Sequence, residues 1–142
     1  MKDQRARVLF VCLGNSCRSQ MAEGFASRYG SDVMVAASAG LSPAHGVAPD
    51  TQRAMQEKNI DMQHHFPKGL QHLSRSRFDL VVNMSGFDLP KTLGVPIRKW
   101  EVPDPISMDF EQHCEIRDRI ETLVMNLILE LRRSLKSRIE VL

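Results

Sequence analysis

The sequence predicts an α/β sandwich built on a parallel sheet, and three observations carry that prediction. Short continuous apolar runs rich in β-formers alternate with segments patterned as helices. The first run ends directly in a tight polar loop that leads into a helix. The chain has 142 residues, the size of one ordinary domain. No repeat, low-complexity stretch or linker divides it, so residues 1–142 are expected to form a single domain.

Val8 to Cys12 is the first strand, apolar at every position and so suited to burial on both faces. Ser19 introduces the helix QMAEGFASRY, with Met21, Ala22 and Phe25 on one face and Gly30 as its stop. Val33 to Ser38 is the second strand. SAGLSPAHGVAP is a loop punctuated by Gly and Pro. Asp50 opens a helix, DTQRAMQEKN, and HHFPKGLQHLSRS is a loop with a short helix in it. Phe78 to Met84 is the third strand. Ser85 to Leu93 holds a short helix interrupted at Pro90. Val95 to Trp100 is a weaker fourth strand, placed at an edge by Pro96. From about Asp109 to Arg138 runs a long amphipathic helix, with Ile116, Ile120, Leu123, Val124, Leu127, Leu131 and Leu135 as its apolar stripe.

The composition, 42% hydrophobic and 25% charged with a net charge of +2, fits a soluble globular protein. That charge is too small to imply nucleic acid or a membrane surface as a partner. No stretch is long and apolar enough to span a bilayer. The start, MKDQRARVLFVCLG, reads as the first strand and not as a signal peptide. Three cysteines are an odd number, which argues against a disulfide framework and for a reducing cytoplasm. Arg75, Arg77, Arg98 and Lys99 read as solvated surface.

The chemistry concentrates in CLGNSCRS. Cys12 and Arg18 are separated by five residues, and Ser19 follows. A strand-to-helix turn of this length can curl its backbone N–H groups inward. That makes a nest for a tetrahedral anion at the positive end of the next helix. Leu13, Gly14, Asn15, Ser16 and Cys17 form the wall of that nest. Gly14 removes bulk where the turn is tight, and Asn15 tolerates a left-handed backbone while its amide ties the loop together. Arg18 can hold two anion oxygens with its planar fork. The same field favours the thiolate form of Cys12, and the Ser19 hydroxyl is placed to donate to it. A thiolate beside an anion cradle is suited to attack on phosphorus or a similar centre. Cys17 admits two readings, a disulfide partner that shields Cys12 from over-oxidation or a small packing residue. A zinc site does not fit: Cys12 and Cys17 have the wrong spacing, and His64, His65, His72 and Cys114 follow no ligand pattern. No metal or cofactor is expected.

An alkoxide leaving group needs a proton, and Asp104 in VPDP can supply it. Pro103 and Pro105 stiffen its backbone, and the loop follows the fourth strand. Ligands of such sheets bind outside the carboxyl ends of the strands, where both Cys12 and Asp104 would lie. Asp109 and Asp88 are the alternatives for the acid.

VLFVCLGNSCRSQMAEG, SAG after the second strand and DP in the late loop resemble the low-molecular-weight protein tyrosine phosphatases and the arsenate reductases that share their fold. The resemblance runs from the first strand into the last helix. It implies a three-layer sandwich, a four-stranded parallel sheet flanked by helices. It further implies Cys12 as nucleophile, Arg18 as oxyanion binder and Asp104 as general acid, with Asn15, Ser19 and His64 supporting the loop. NSCRSQMAEG, Trp100 and NIDMQHH are closer to the reductases. The thioredoxin-coupled reductases carry two more cysteines after the third strand, where Ser85 and Leu89 stand here. The phosphatases often place tyrosines after DP, where this chain has ISMDF.

Two activities follow from the resemblance. The first expectation is a phosphomonoester hydrolase of the tyrosine phosphatase type, working through a phosphocysteine on a phosphorylated protein or a small phosphomonoester. The alternative is an arsenate reductase that takes an oxyanion and an external thiol reductant. A non-catalytic anion-binding module is a third reading, disfavoured because a binder needs no nucleophile.

Overall fold

The computed structural model describes residues 3–73, 77–90 and 94–141. Its core is a four-stranded, all-parallel sheet in the order β2-β1-β3-β4. The strands are β1 (Ala6–Cys12), β2 (Met34–Gly40), β3 (Leu80–Asn83) and β4 (Ile97–Lys99). Among the described residues three α-helices accompany them, α1 (Arg18–Tyr29) between β1 and β2, α2 (Pro49–Gln56) between β2 and β3, and α3 (Phe110–Val141) after β4. This is the α/β class and the four-stranded parallel sheet that the sequence predicts.

β1 alternates its side chains between two apolar layers. Val8, Phe10 and Cys12 pack with Phe25, Met55 and Ile120 on the helical face. Leu9 and Val11 pack with Val81 and Leu89 on the other. That second face is covered by Leu70 and Leu73, from a short 3-10 turn, and by Phe78 and Val95. Phe10, Phe25 and Ile120 are each fully buried. Burial at this level is worth about 1.5–3 kcal/mol for a large apolar side chain.

The element boundaries differ from expectation where hydrogen bonding decides them. β2 extends to Gly40, so the SAG stretch joins the ladder and Gly40 pairs with Cys12. α1 starts at Arg18, and Ser19 lies inside its first turn instead of introducing it. Gly30 closes α1 with an ordinary φ of −130°. Its role is close packing: an added Cβ would stand 2.6 Å from Ile128 Cγ1. β3 begins only at Leu80, because Asp79 bridges to Arg7 through its backbone N–H (2.7 Å) and its carboxylate (2.8 Å). β4 is three exposed residues at the sheet edge. Residues 85–87 form a bend and 88–90 no regular structure, so no helix forms there, and the rest of that expected helix, 91–93, lies outside the described residues, as does Arg75. α3 is capped reciprocally: Asp109 Oδ1 accepts the Gln112 N–H (2.8 Å) while Gln112 Oε1 accepts the Asp109 N–H (3.2 Å). Ile116, Ile120, Val124 and Leu127 of the expected stripe are buried, and Leu123, Leu131 and Leu135 pack at its margin. No helix is long and apolar enough to cross a membrane among the described residues.

In the 2-1-3-4 order the chain leaves β1 in one direction and later crosses back over it to β3. The crevice between the carboxyl ends of β1 and β3 is therefore the binding position in a sheet of this kind. Cys12 ends β1 at that point.

Candidate active site

The loop from Cys12 to Arg18 is held from outside by its carbonyls. Those of Cys12, Leu13, Gly14 and Ser16 accept the N–H groups of Leu41 (3.1 Å), Ser42 (2.8 Å), Ala44 (2.9 Å) and Ala48 (3.1 Å). With the carbonyls bonded outward, the amides of Gly14, Asn15, Ser16 and Cys17 donate to no protein group among the described residues. Asn15 takes the left-handed backbone expected of it, at φ 49°. α1 follows with no side-chain cap and no acidic residue in its first turn, so its positive end also faces the loop.

Arg18 is buried and clamped. Its Nη1 donates to the carbonyls of Met84, at the end of β3, and Val102 (3.0 Å), beyond β4. Its Nη2 lies 3.4 Å from Asp104 Oδ2. Its Nε is buried and has no partner among the described residues. An unpaired buried N–H is costly, and a tetrahedral oxyanion in the loop would satisfy it together with the free amides.

Behind the loop, a chain of side chains leads to the sulfur. Asn15 Nδ2 donates to Ser19 Oγ (2.7 Å), which leaves the Ser19 proton to point at Cys12 Sγ (2.9 Å). Asn15 Oδ1 accepts from Gln20 Nε2 and from the Lys68 N–H, both at 3.0 Å. Gln20 Nε2 also donates to the Phe66 carbonyl, and Gln20 Oε1 sits 3.0 Å from His65 Nδ1. His65 in turn lies 3.4 Å from Glu23 Oε2. The histidine behind the loop is thus His65, and it acts through Gln20; His64 is exposed and makes no hydrogen bond among the described residues. Neither Gln20 nor Glu23 stood out in the sequence. Both lie on α1 in positions that a helix pattern explains equally well as core and surface.

Cys12, Leu13, Gly14, Ser16, Cys17, Arg18 and Asp104 line one cavity of about 300 Å³, with Ser42, Ala44 and Ile106. Asn15 and Ser19 are fully buried beneath it and support the loop without lining the cavity. Asp104 Oδ1 accepts the Ile106 N–H (3.1 Å), which aims Oδ2 at Arg18. Asp88 is paired with Lys99 on the surface and Asp109 caps α3, so neither reaches the cavity. Burial pushes the Cys17 thiol up to about 11, so it stays protonated at neutral pH. Cys12 and Cys17 are both free thiols. Phe66 and Phe87 are exposed elsewhere, and Phe110 stacks under Arg53 at 3.9 Å, so none of the three walls this cavity.

A thiol at the end of a parallel strand, beside a loop of free amides and a buried arginine, is an arrangement that could bind an oxyanion and attack it through sulfur. The family model of the low molecular weight phosphotyrosine protein phosphatases matches residues 7–137, and the chain belongs to that family. Among its relatives, Arsenate reductase 1 of Staphylococcus epidermidis is 36% identical over 127 residues, covering 85% of this chain and 94% of that one. The Glutaredoxin arsenate reductase of a Synechocystis species is 31% identical over 129 residues, covering 88% of this chain and 98% of that one. A solved arsenate reductase in the phosphate-binding state superposes with a TM-score of 0.80 at 31% identity, over 89% of this chain and 98% of that one.

Proposed function

We propose that this chain is an arsenate reductase that draws its electrons from an external thiol. The observation that carries the reading is the cavity at Cys12. Its anion cradle opens through an aliphatic mouth of Leu13, Ala44 and Ile106, with no aromatic side chain among its lining residues. Such a mouth suits a small inorganic oxyanion better than a phosphotyrosine ring. The arsenate reductases at 36% and 31% identity support the same choice. This reading takes the alternative from the sequence as the first of the two expected activities.

Cys12 attacks arsenic, Asp104 protonates the departing oxygen, and water leaves a Cys12–S–As(V) adduct held by Arg18 and the loop amides. An external thiol RSH then attacks the Cys12 sulfur. The S–As electron pair stays on arsenic, which leaves as arsenite, and Cys12–S–S–R forms. A second RSH releases RSSR and restores Cys12. The sum is arsenate plus two thiols to arsenite, disulfide and water. An internal relay has no thiol to use near the end of β3. Ser85 stands there, with its hydroxyl bonded to Asn83 Oδ1 (2.7 Å) and the Phe87 carbonyl (3.2 Å). Cys114 is on α3, beside Glu57, and outside the cavity.

A phosphomonoester hydrolase remains the second reading, favoured by Asp104. A carboxylate with one oxygen anchored and the other beside Arg18 at the cavity wall is what an alkoxide leaving group requires. Cys12 would then carry phosphate, and Asp104 would activate the water that removes it. The test runs p-nitrophenyl phosphate and, in parallel, arsenate with a thiol donor, using Cys12→Ser as blank. Thiol-dependent arsenite formation that is lost in the blank is expected. Hydrolysis without arsenite formation would overturn the reductase reading in favour of the hydrolase.

A further inference from the structure

A second, larger cavity of about 530 Å³ lies on the other side of Arg18. It opens at the carboxyl ends of β3 and β4, again the binding edge of the sheet. Arg18 is the one residue that lines both cavities. The rim between them is the Val102–Asp104 loop: Val102 and Pro103 line the larger cavity and Asp104 the smaller.

The walls combine aromatic surface with fixed charges. Phe87 is 58% exposed, an unusual position for a phenylalanine, and sits on a loop pinned in place. Asn83 Nδ2 donates to the Phe87 carbonyl (2.7 Å), and Ser85 Oγ accepts the Phe87 N–H (3.0 Å). Gly86 supplies the positive φ of 82° that this turn needs. Trp100 forms a further part of the wall and is backed by Phe10, 5.9 Å between ring centroids. Arg119 on α3 has no carboxylate partner among the described residues. Lys99 donates directly to Asp88 Oδ1 at 3.0 Å, but both side chains are mostly exposed. Such a pair is worth about 0–1 kcal/mol and exchanges readily for a ligand carboxylate. One acid, Glu101, also lines the cavity.

We infer that this cavity binds a short peptidic thiol with a net negative charge, the electron donor of the proposed reductase. The inference rests on that reading of the activity for the donor's role, and on the cavity itself for its chemistry. Lys99 and Arg119 match two carboxylates, Glu101 matches one ammonium, and Phe87 with Trp100 cover the apolar part. A thiol held there would have to cross the Pro103–Asp104 rim to the cavity that Cys12 lines. Attack on the Cys12 sulfur forms the mixed disulfide and expels arsenite, as in the balance above.

Trp100 is the only tryptophan of the chain, so its fluorescence gives a signal from this cavity's wall. The probe is S-methylglutathione, which has the two carboxylates and the ammonium but no thiol. It is titrated with inorganic phosphate present to occupy the Cys12 loop. A saturable change in Trp100 emission is expected, weakened about tenfold in Arg119→Gln and in Lys99→Gln, the loss of one charged hydrogen bond each. In turnover, the ratio of kcat/KM for glutathione to that for neutral 2-mercaptoethanol should fall about tenfold in the same variants. No saturable response, or a response equal in wild type and both variants, overturns the inference. Saturable, Arg119-dependent binding in a protein that forms no arsenite supports the cavity as a thiol site and overturns the reductase reading alone.

Discussion

At Cys12 the arrangement separates three jobs among three side chains. In the mechanism proposed above the sulfur attacks, the Arg18 guanidinium and loop amides take the charge, and Asp104 handles the proton. Replacing Cys12→Ser should remove turnover while anion binding persists, since the amides and Arg18 Nε are untouched; arsenate or phosphate titration of the variant by calorimetry checks this. Replacing Asp104→Asn keeps the shape but removes the proton. The rate should fall about 100-fold, most with poor leaving groups, in a comparison of aryl and alkyl phosphates or in single-turnover arsenate reduction. Gln20 works one step back. It is fully buried, and its amide ties Asn15 to Phe66 and His65. Gln20→Leu should cost about 1–3 kcal/mol in urea unfolding, because Asn15 Oδ1 loses a donor and His65 an acceptor.

Among the elements, β2 and the loop after it do as much for the nest as β1 and α1. Leu41, Ser42, Ala44 and Ala48 take the loop carbonyls, and the loop amides are left without a protein acceptor among the described residues. Gly40 makes the approach possible. A Cβ there would meet Asn15 N and Leu13 O at 2.8 Å, both backbone atoms that cannot rotate away. Gly40→Ala should therefore destabilise the fold by about 1–3 kcal/mol and weaken anion binding, measured by urea unfolding and by phosphate titration. The SAG stretch was legible as a motif in the sequence. Its reason was not, because the collision is between segments distant in the chain. β4 shows the converse: its sequence is a plausible strand, but Pro96 and its edge position leave three residues in the ladder.

Across the whole molecule, α3 locks the layers together beneath the site. Its buried His113 shares a hydrogen bond with Thr51 of α2 (2.9 Å). Burial holds His113 below the ordinary histidine value of 6.5, against the pull of Asp50 and Asp104. A base with a lowered folded pKa binds its proton more tightly once unfolded. Stability is then fully present above the unfolded value and declines as pH falls below about 6.5. Denaturant titrations at pH 7.5 and 5.5 should show this loss, and His113→Gln should reduce the difference. Arg132 adds a second tie, at 2.8 Å and 3.0 Å to Asp32 beyond α1, but that pair is exposed and contributes little.

What the sequence determined by itself is local. Apolar runs and helix periods fix the element order, and the Cys12–Arg18 spacing with Gly14 and Asn15 fixes the loop, because these depend on neighbours in the chain. Cys12, Arg18 and Asp104 were all readable at this level. The tertiary structure decided what depends on approach between distant segments. It brought Asp104 to Arg18 and left Asp88 paired with Lys99 and Asp109 at the start of α3. It selected His65 over its neighbour His64, and it made Gly40 indispensable to the loop. It also opened a charged aromatic cavity from Phe87, Lys99, Trp100 and Arg119, which no spacing in the sequence links. Side-chain packing and hydrogen-bond closure act through space, so they become visible only once the sheet has set its order.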